Sequence, residues 1–141
     1  HVYGFSRGGL MALWTAIMRN DIASVVTWAG VTDVEGTYEE RLDMRRGLKR
    51  IIGGTPSKYP ERYAYRTPLY EIEKIDAPVL IIHGTNDEHV PISHAYKLLA
   101  TLEAAGKQVE SKFAENLPHH FPTKENRQTV QMLSEWMKLQ Q

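Results

Sequence analysis

Three residue types placed in order along this sequence are suited to acyl transfer through a serine. Ser6 lies in Gly4-Phe5-Ser6-Arg7-Gly8, a G-x-S-x-G string with an apolar helical stretch immediately behind it. A strand ending in such a pentapeptide and turning at once into a helix holds its serine on a tight, strained corner, with the hydroxyl lifted above the sheet. Glycine is expected at both Gly4 and Gly8 because a side chain at either would collide with the neighbouring strand or helix. A serine hydroxyl is a poor nucleophile near neutral pH, so it needs a base, and the base needs an orienting acceptor. The order expected with this corner is serine, then an acid, then histidine. Asp87 follows in Gly84-Thr85-Asn86-Asp87-Glu88-His89-Val90-Pro91, and His119 and His120 come after it in Asn116-Leu117-Pro118-His119-His120-Phe121-Pro122. Asp33, which follows an earlier strand, is the rival acid; the position of Asp87 directly beyond a buried strand favours Asp87.

Strands alternating with helices must position these groups. Val2-Tyr3 is expected to close a strand that feeds the serine corner. Residues 9–20 are apolar nearly all round, as in a helix covered on most sides. Residues 23–30 form a buried strand, and 35–52 a charged helix stopped by Gly53-Gly54-Thr55-Pro56. Arg41, Arg45 and Arg46 on that helix are expected to form a solvated face with Glu39 and Glu40; a part in substrate recognition is the lesser alternative. Residues 57–68 are irregular with a short helix. Pro78-Val79-Leu80-Ile81-Ile82 is apolar on both faces, as a central parallel strand is. Ser93 is expected to cap a helix that Gly106 ends, residues 108–113 alternate as a half-exposed edge strand, and 123–139 is an amphipathic helix. His83 is expected to be a satisfied core histidine, and His89 and His94 rim or surface residues. The whole is an α/β pattern with a parallel sheet, which places Asp87 at the carboxyl end of the strands, beside Ser6.

Composition narrows the classes further. The 141 residues, 42% hydrophobic, suffice for one domain or part of one. Seventeen basic residues balance seventeen acidic ones, so no net field favours nucleic acid or an anionic membrane, and neither partner is expected. The longest apolar runs are too short to span a bilayer. The absence of cysteine excludes disulfides and thiolate metal sites and is compatible with a reducing, cytoplasmic setting. No histidine pair has metal-ligand spacing with an acidic third ligand, and no metal or cofactor is expected. The chain starts inside a motif and without an initiator Met, so an upstream part of the same protein is expected to complete the fold.

The ordered set resembles the α/β-hydrolases, and within them the prolyl oligopeptidase-like serine peptidases. The resemblance is carried by Gly-Phe-Ser-Arg-Gly-Gly at 4–9, Gly-Thr-Pro at 54–56, Pro60-Glu61 and Thr67-Pro68. It continues through Ala-Pro-Val-Leu-Ile-Ile-His-Gly-Thr-Asn-Asp at 77–87, Val90-Pro91 and His-His-Phe at 119–121. It implies the C-terminal half of an α/β-hydrolase fold, a partial catalytic domain over residues 1–141, often preceded in that family by a β-propeller. It also implies Ser6 as nucleophile, Asp87 as orienting acid and, with Phe121 aligned, His119 as base; a one-residue slip would exchange His119 for His120. His120 then occupies a position where the family commonly has glycine, and Arg7 one where it often has tyrosine. The Arg7 backbone N–H still suits one oxyanion donor, the second being expected from upstream of His1.

The function implied is hydrolysis of a peptide or aminoacyl bond through an acyl-enzyme. An alternative within the same chemistry is a carboxylic or carbohydrate ester hydrolase, because fold does not choose substrate. An alternative of another class is a non-catalytic fragment or interaction domain. The strand before Ser6 would then lack its inner neighbour, leaving the isolated piece aggregation-prone or inactive.

Overall fold

The computed structural model describes residues 1–140. Its sheet consists of four parallel strands in sequence order, β1 (Val2–Phe5), β2 (Val25–Trp28), β3 (Val79–Gly84) and β4 (Val109–Ala114). The register places Val2, Val25, Val79 and Val109 in one row across the sheet, a β-branched ladder suited to a pleated, half-buried surface. Parallel neighbours need crossovers, and helices supply them. The helices are α1 (Arg7–Met18), α2 (Val34–Glu40), α3 (Arg45–Leu48), α4 (Pro60–Arg66), α5 (Ser93–Ala104) and α6 (Thr123–Leu139).

Side chains alternate between the two faces of each strand, so the sheet carries two cores. On one face Val25, Val79 and Ile81 pack with Leu13 of α1, Leu98 and Leu102 of α5, and Ile72. On the other, Val26, Trp28, Leu80 and Ile82 pack with Leu133 of α6 and with Phe121 in the loop before it. The central strand β3 is buried throughout, which accounts for its uninterrupted apolar run, whereas β4 pairs on one side only and is half-exposed.

Three local expectations need correction. The charged segment 35–52 is not one helix: α2 breaks at Arg41, a 3-10 turn covers Leu42–Met44, and after α3 a π turn covers Lys49–Gly53. Arg41 has φ −118° and ψ 89° and pairs with Asp43, two residues on, at 2.7 Å. Residues two apart do not face each other on a helix, so this pairing belongs to the break. Ser93 does not cap α5; Ile92 holds the cap position, and the Ser93 hydroxyl lies 3.5 Å from Glu40 instead. Finally, α1 is covered on a narrower side than its composition suggests. Small residues Gly9, Ala12 and Ala16, with Leu13, face the sheet, while Met11 is 63% exposed.

Candidate active site

Ser6 directly follows β1 and occupies the N-cap of α1 with φ 58° and ψ −118°, a conformation that costs a non-glycine residue of order 1–3 kcal/mol. Backbone bonds hold it there. Its N–H donates to Trp28 O at 2.9 Å, and its carbonyl accepts from Gly9 N–H at 3.0 Å and Val31 N–H at 3.1 Å. The side chain makes no capping hydrogen bond to the helix, so the hydroxyl is left for the space above the sheet. That close approach of helix to strand rests on two glycines. A Cβ on Gly4 would lie 2.0 Å from Gly8 O, and one on Gly9 would lie 2.6 Å from Gly30 Cα. Gly8 corrects the expectation of crowding on both sides of the serine: nothing lies within 4 Å of a Cβ built there.

Asp87 is delivered by the turn after β3. Its Oδ1 accepts from His89 N–H at 2.9 Å and Val90 N–H at 2.8 Å, and its Oδ2 lies 2.7 Å from His119 Nδ1 and 3.4 Å from His83 Nε2. Burial opposes its charge. Donors from His83, the Val90 N–H, His119 and the His89 N–H outweigh that burial and hold the carboxyl at about 2.

His119 follows β4 in a loop stapled to the acid turn through backbone. Thr85 N–H donates to Ala114 O and Asn86 N–H to Leu117 O, each at 3.0 Å, and Asn116 N–H donates to the Thr85 hydroxyl at 2.7 Å. The imidazole is 4% exposed and packs against Phe5 with ring centroids 5.0 Å apart. An ionised carboxylate can only accept, so the proton in the short Asp87 contact belongs to His119 Nδ1. The Nε2 lone pair is left available as a base.

His120 projects differently. It is exposed, its ring stands 4.9 Å from that of His119 in an edge arrangement, and it makes no hydrogen bond to Asp87. Asp33 is engaged elsewhere, accepting from Gly36 N–H to cap α2 and pairing with Lys97 at 3.0 Å. Ser6, Arg7, His119 and His120 line one cavity of about 1090 Å³. Its other walls include Leu10, Met11 and Trp14 of α1, the apolar residues that α1 turns away from the sheet. The Arg7 N–H is the first of α1, a position with no acceptor inside its own helix.

Of two further histidines, His94 departs from expectation and His83 meets it, with one added contact. His94 is not at the rim but buried on the inner side of α5, one turn before Leu98; its Nδ1 accepts from Thr32 N–H at 3.1 Å and its Nε2 lies 3.3 Å from Glu40. His83 is buried and satisfied, its Nε2 2.7 Å from Val90 O, yet it also touches Asp87, a contact that the apolar run around it gave no sign of. Arg41 lines the cavity, with its guanidinium on Asp43 and on His89 O at 2.8 Å, and Arg45 is spent on the carbonyls of Tyr38 and Glu39. Among the described residues no group of three or more His, Cys, Asp or Glu side chains is placed to hold a metal ion. No helix among them is long and apolar enough to cross a membrane.

Comparison with known proteins shows the family and the fold. The sequence profile of the prolyl oligopeptidase family matches residues 1–140. The chain is 52% identical over 139 residues to a Bacillus subtilis (strain 168) protein named uncharacterized peptidase YtmA, covering 98% of this chain and 54% of that one. It is 25% identical over 146 residues to uncharacterized peptidase YuxL of the same organism, covering 94% of this chain and 20% of that one. It thus spans about half and about a fifth of the lengths of these two relatives. The solved structure of uncomplexed Pyrococcus horikoshii acylaminoacyl peptidase superposes with a TM-score of 0.86 at 19% identity, covering 98% of this chain and 23% of that one, a likeness of fold. The parallel sheet and its flanking helices are an α/β-hydrolase fold.

Proposed function

The chain belongs to the prolyl oligopeptidase family, and from that premise we propose that it carries the nucleophile, acid and base of a serine peptidase. Ser6 Oγ attacks the carbonyl carbon of a peptide or aminoacyl bond as His119 Nε2 removes the hydroxyl proton. Asp87 holds the imidazole in the Nδ1–H tautomer and stabilises the imidazolium that forms. The Arg7 N–H, at the start of α1, donates to the oxyanion of the tetrahedral intermediate. Collapse of that intermediate breaks the C–N bond, and the imidazolium returns its proton to the departing amine. Water, deprotonated by the same imidazole, then releases the acyl group and restores Ser6.

The observation that carries this reading is the 2.7 Å contact between Asp87 Oδ2 and His119 Nδ1, in a corner adjoining the cavity that Ser6 also lines. Residues 1–141 are on this reading part of the catalytic domain, completed by a further segment of the same protein that supplies the second oxyanion donor. The test is labelling of the intact protein by a fluorophosphonate, with the modified residue mapped by mass spectrometry. Modification at Ser6, lost in Ser6→Ala, supports the proposal; equal labelling and turnover in Ser6→Ala overturns it. Hydrolysis of aminoacyl anilides beside simple acyl esters then separates peptidase from esterase, and turnover of esters alone would overturn the peptidase assignment.

A further inference from the structure

β3 presents Val79 and Ile81 to one core, and the next residue on that face by alternation is His83, 1% exposed. A buried imidazole in an apolar row needs a partner for its N–H, and here the partners are specific. Val90 O, 2.7 Å from Nε2, can only accept, so Nε2 carries a proton. The same nitrogen lies 3.4 Å from Asp87 Oδ2, the oxygen that also accepts from His119. Val90 in turn donates its N–H to Asp87 Oδ1 at 2.8 Å. His83 therefore grips the acid turn twice, through the carboxylate and through the carbonyl of the residue that donates to it.

We propose that His83 is a positioning residue for the acid–base pair, using one shared Nε2–H to set the direction and basicity of Asp87 and, through it, of His119. The inference rests on the functional reading above but concerns a residue that takes no part in the proton transfer itself. Without this donor the carboxylate turns more freely about its side-chain bonds, and the negative charge on Oδ2 is less satisfied. A less satisfied acceptor holds a neighbouring imidazolium more tightly, so His119 becomes harder to deprotonate. The other charged or titratable groups near the pair are His89, with its ring 5.0 Å from that of His119, His120, and Arg41, whose charge acts on Asp87 from the end of α2. None of these donates a side-chain hydrogen bond to the carboxylate; among the described residues, His83 and His119 are the side chains recorded within 4 Å of it as hydrogen-bond or charge partners.

The test compares His83→Gln, His83→Asn and His83→Phe in the intact protein. A glutamine amide reaches the place of Nε2 and keeps a donor there, an asparagine amide stops at the place of Nδ1, and phenylalanine keeps the shape without a donor. The pH profile of kcat/KM reports the free-enzyme base. Its acid limb is expected to move upward by about half a unit or more in His83→Asn and His83→Phe and to stay in place in His83→Gln. The kcat of the first two is expected to fall by roughly ten- to a hundredfold with KM little changed, as for a small misplacement of a reacting group. Should His83→Phe fail to fold, the contrast between the two amides decides. Folded His83→Asn with the parental limb and kcat overturns the proposal, and so does a glutamine variant as impaired as the asparagine one. The low-field NMR resonance of the His119 Nδ1 proton, followed in a Ser6→Ala background, reads the same coupling without turnover. It is expected to shift in His83→Asn and not in His83→Gln, and its insensitivity to both overturns the proposal. Activity retained in Ser6→Ala would instead count against the serine mechanism, so the two failures are distinct.

Discussion

Gly84 and Leu117 meet backbone to backbone, and a Cβ on Gly84 would lie 2.3 Å from Leu117 O. The turn that carries Asp87 and the loop that carries His119 are thereby packed main chain against main chain, with Asn86 N–H donating to the same Leu117 carbonyl. This backbone contact fixes the spacing of the two main chains, across which the side chains close to 2.7 Å.

Gly84→Ala is accordingly expected to destabilise the protein by about 1–3 kcal/mol, because the obstructing atoms are backbone and cannot swing aside. It should also reduce kcat by prising the two loops apart. Gly4→Ala is expected to be at least as damaging, its Cβ meeting Gly8 O at 2.0 Å. Gly8→Ala, entering open space inside a helix, should be neutral or stabilising by up to about 1 kcal/mol. Thermal unfolding of the three variants checks the ranking.

Replacing Asp87, His119 and His120 in turn tests the roles proposed for them. Asp87→Asn keeps the shape but removes the charge and allows the wrong imidazole tautomer; a loss in kcat of about 10⁴-fold is expected, as for the acid of a serine–histidine–aspartate triad. His119→Ala should fall by a comparable factor. His120→Ala should retain turnover within about tenfold, since no carboxylate orients that ring. Steady-state kinetics on one aminoacyl anilide is sufficient, and equal losses at the two histidines would refute the assignment.

Acid stability should carry the signature of Asp87. Its folded pKa of about 2 lies below the unfolded value of about 3.9, so the folded state binds fewer protons between them. The stability it contributes, about 2–3 kcal/mol, is present above pH ~4 and is lost as pH falls through about 2. Asp87→Asn is expected to flatten the unfolding free energy over that window, measured by urea titration at successive pH values.

His94 should act at higher pH. Burial lowers its pKa, against the attraction of Glu40 and Asp33, and its Nδ1 already accepts from Thr32 N–H, leaving no acceptor for a second proton. Because the folded pKa is depressed, stability is full above the unfolded value of about 6.5 and declines as pH falls toward the folded one. His94→Asn keeps an acceptor for Thr32, and at pH 8 its loss of packing and of the Glu40 contact should cost about 1–2 kcal/mol. Denaturant titrations should show it removing most of the slope just below pH 6.5.

Much of the fold was legible because its signals are local. The apolar run 79–82, the alternation at 109–113 and the amphipathic period of 123–139 each determine an element from neighbouring residues alone, and all three are seen in place. The helix expected over 35–52 instead breaks at Arg41, whose guanidinium bonds His89 O on a distant turn, a contact that no neighbouring residue signals. His94 departs from expectation likewise, because its burial depends on Thr32 and Glu40 lying across from α5.

At the site, the order of Ser6, Asp87 and His119, the corner at Ser6 and the delivery of Asp87 at a strand end can all be read along the chain. Those follow from strand and turn chemistry within a few residues. Sequence alone left two adjacent histidines open, set Gly8 beside Gly4 as the crowded positions, and gave His83 no neighbour in the site. It takes the folded sheet to show that His119 is the ring bonded to Asp87, that Gly9 rather than Gly8 meets Gly30, and that His83 Nε2 comes within 3.4 Å of Asp87. The physical reason is the same in each case. A hydrogen bond or a steric contact is settled over a few ångströms, and residues far apart in sequence come within that range only once the sheet has brought the ends of its strands together.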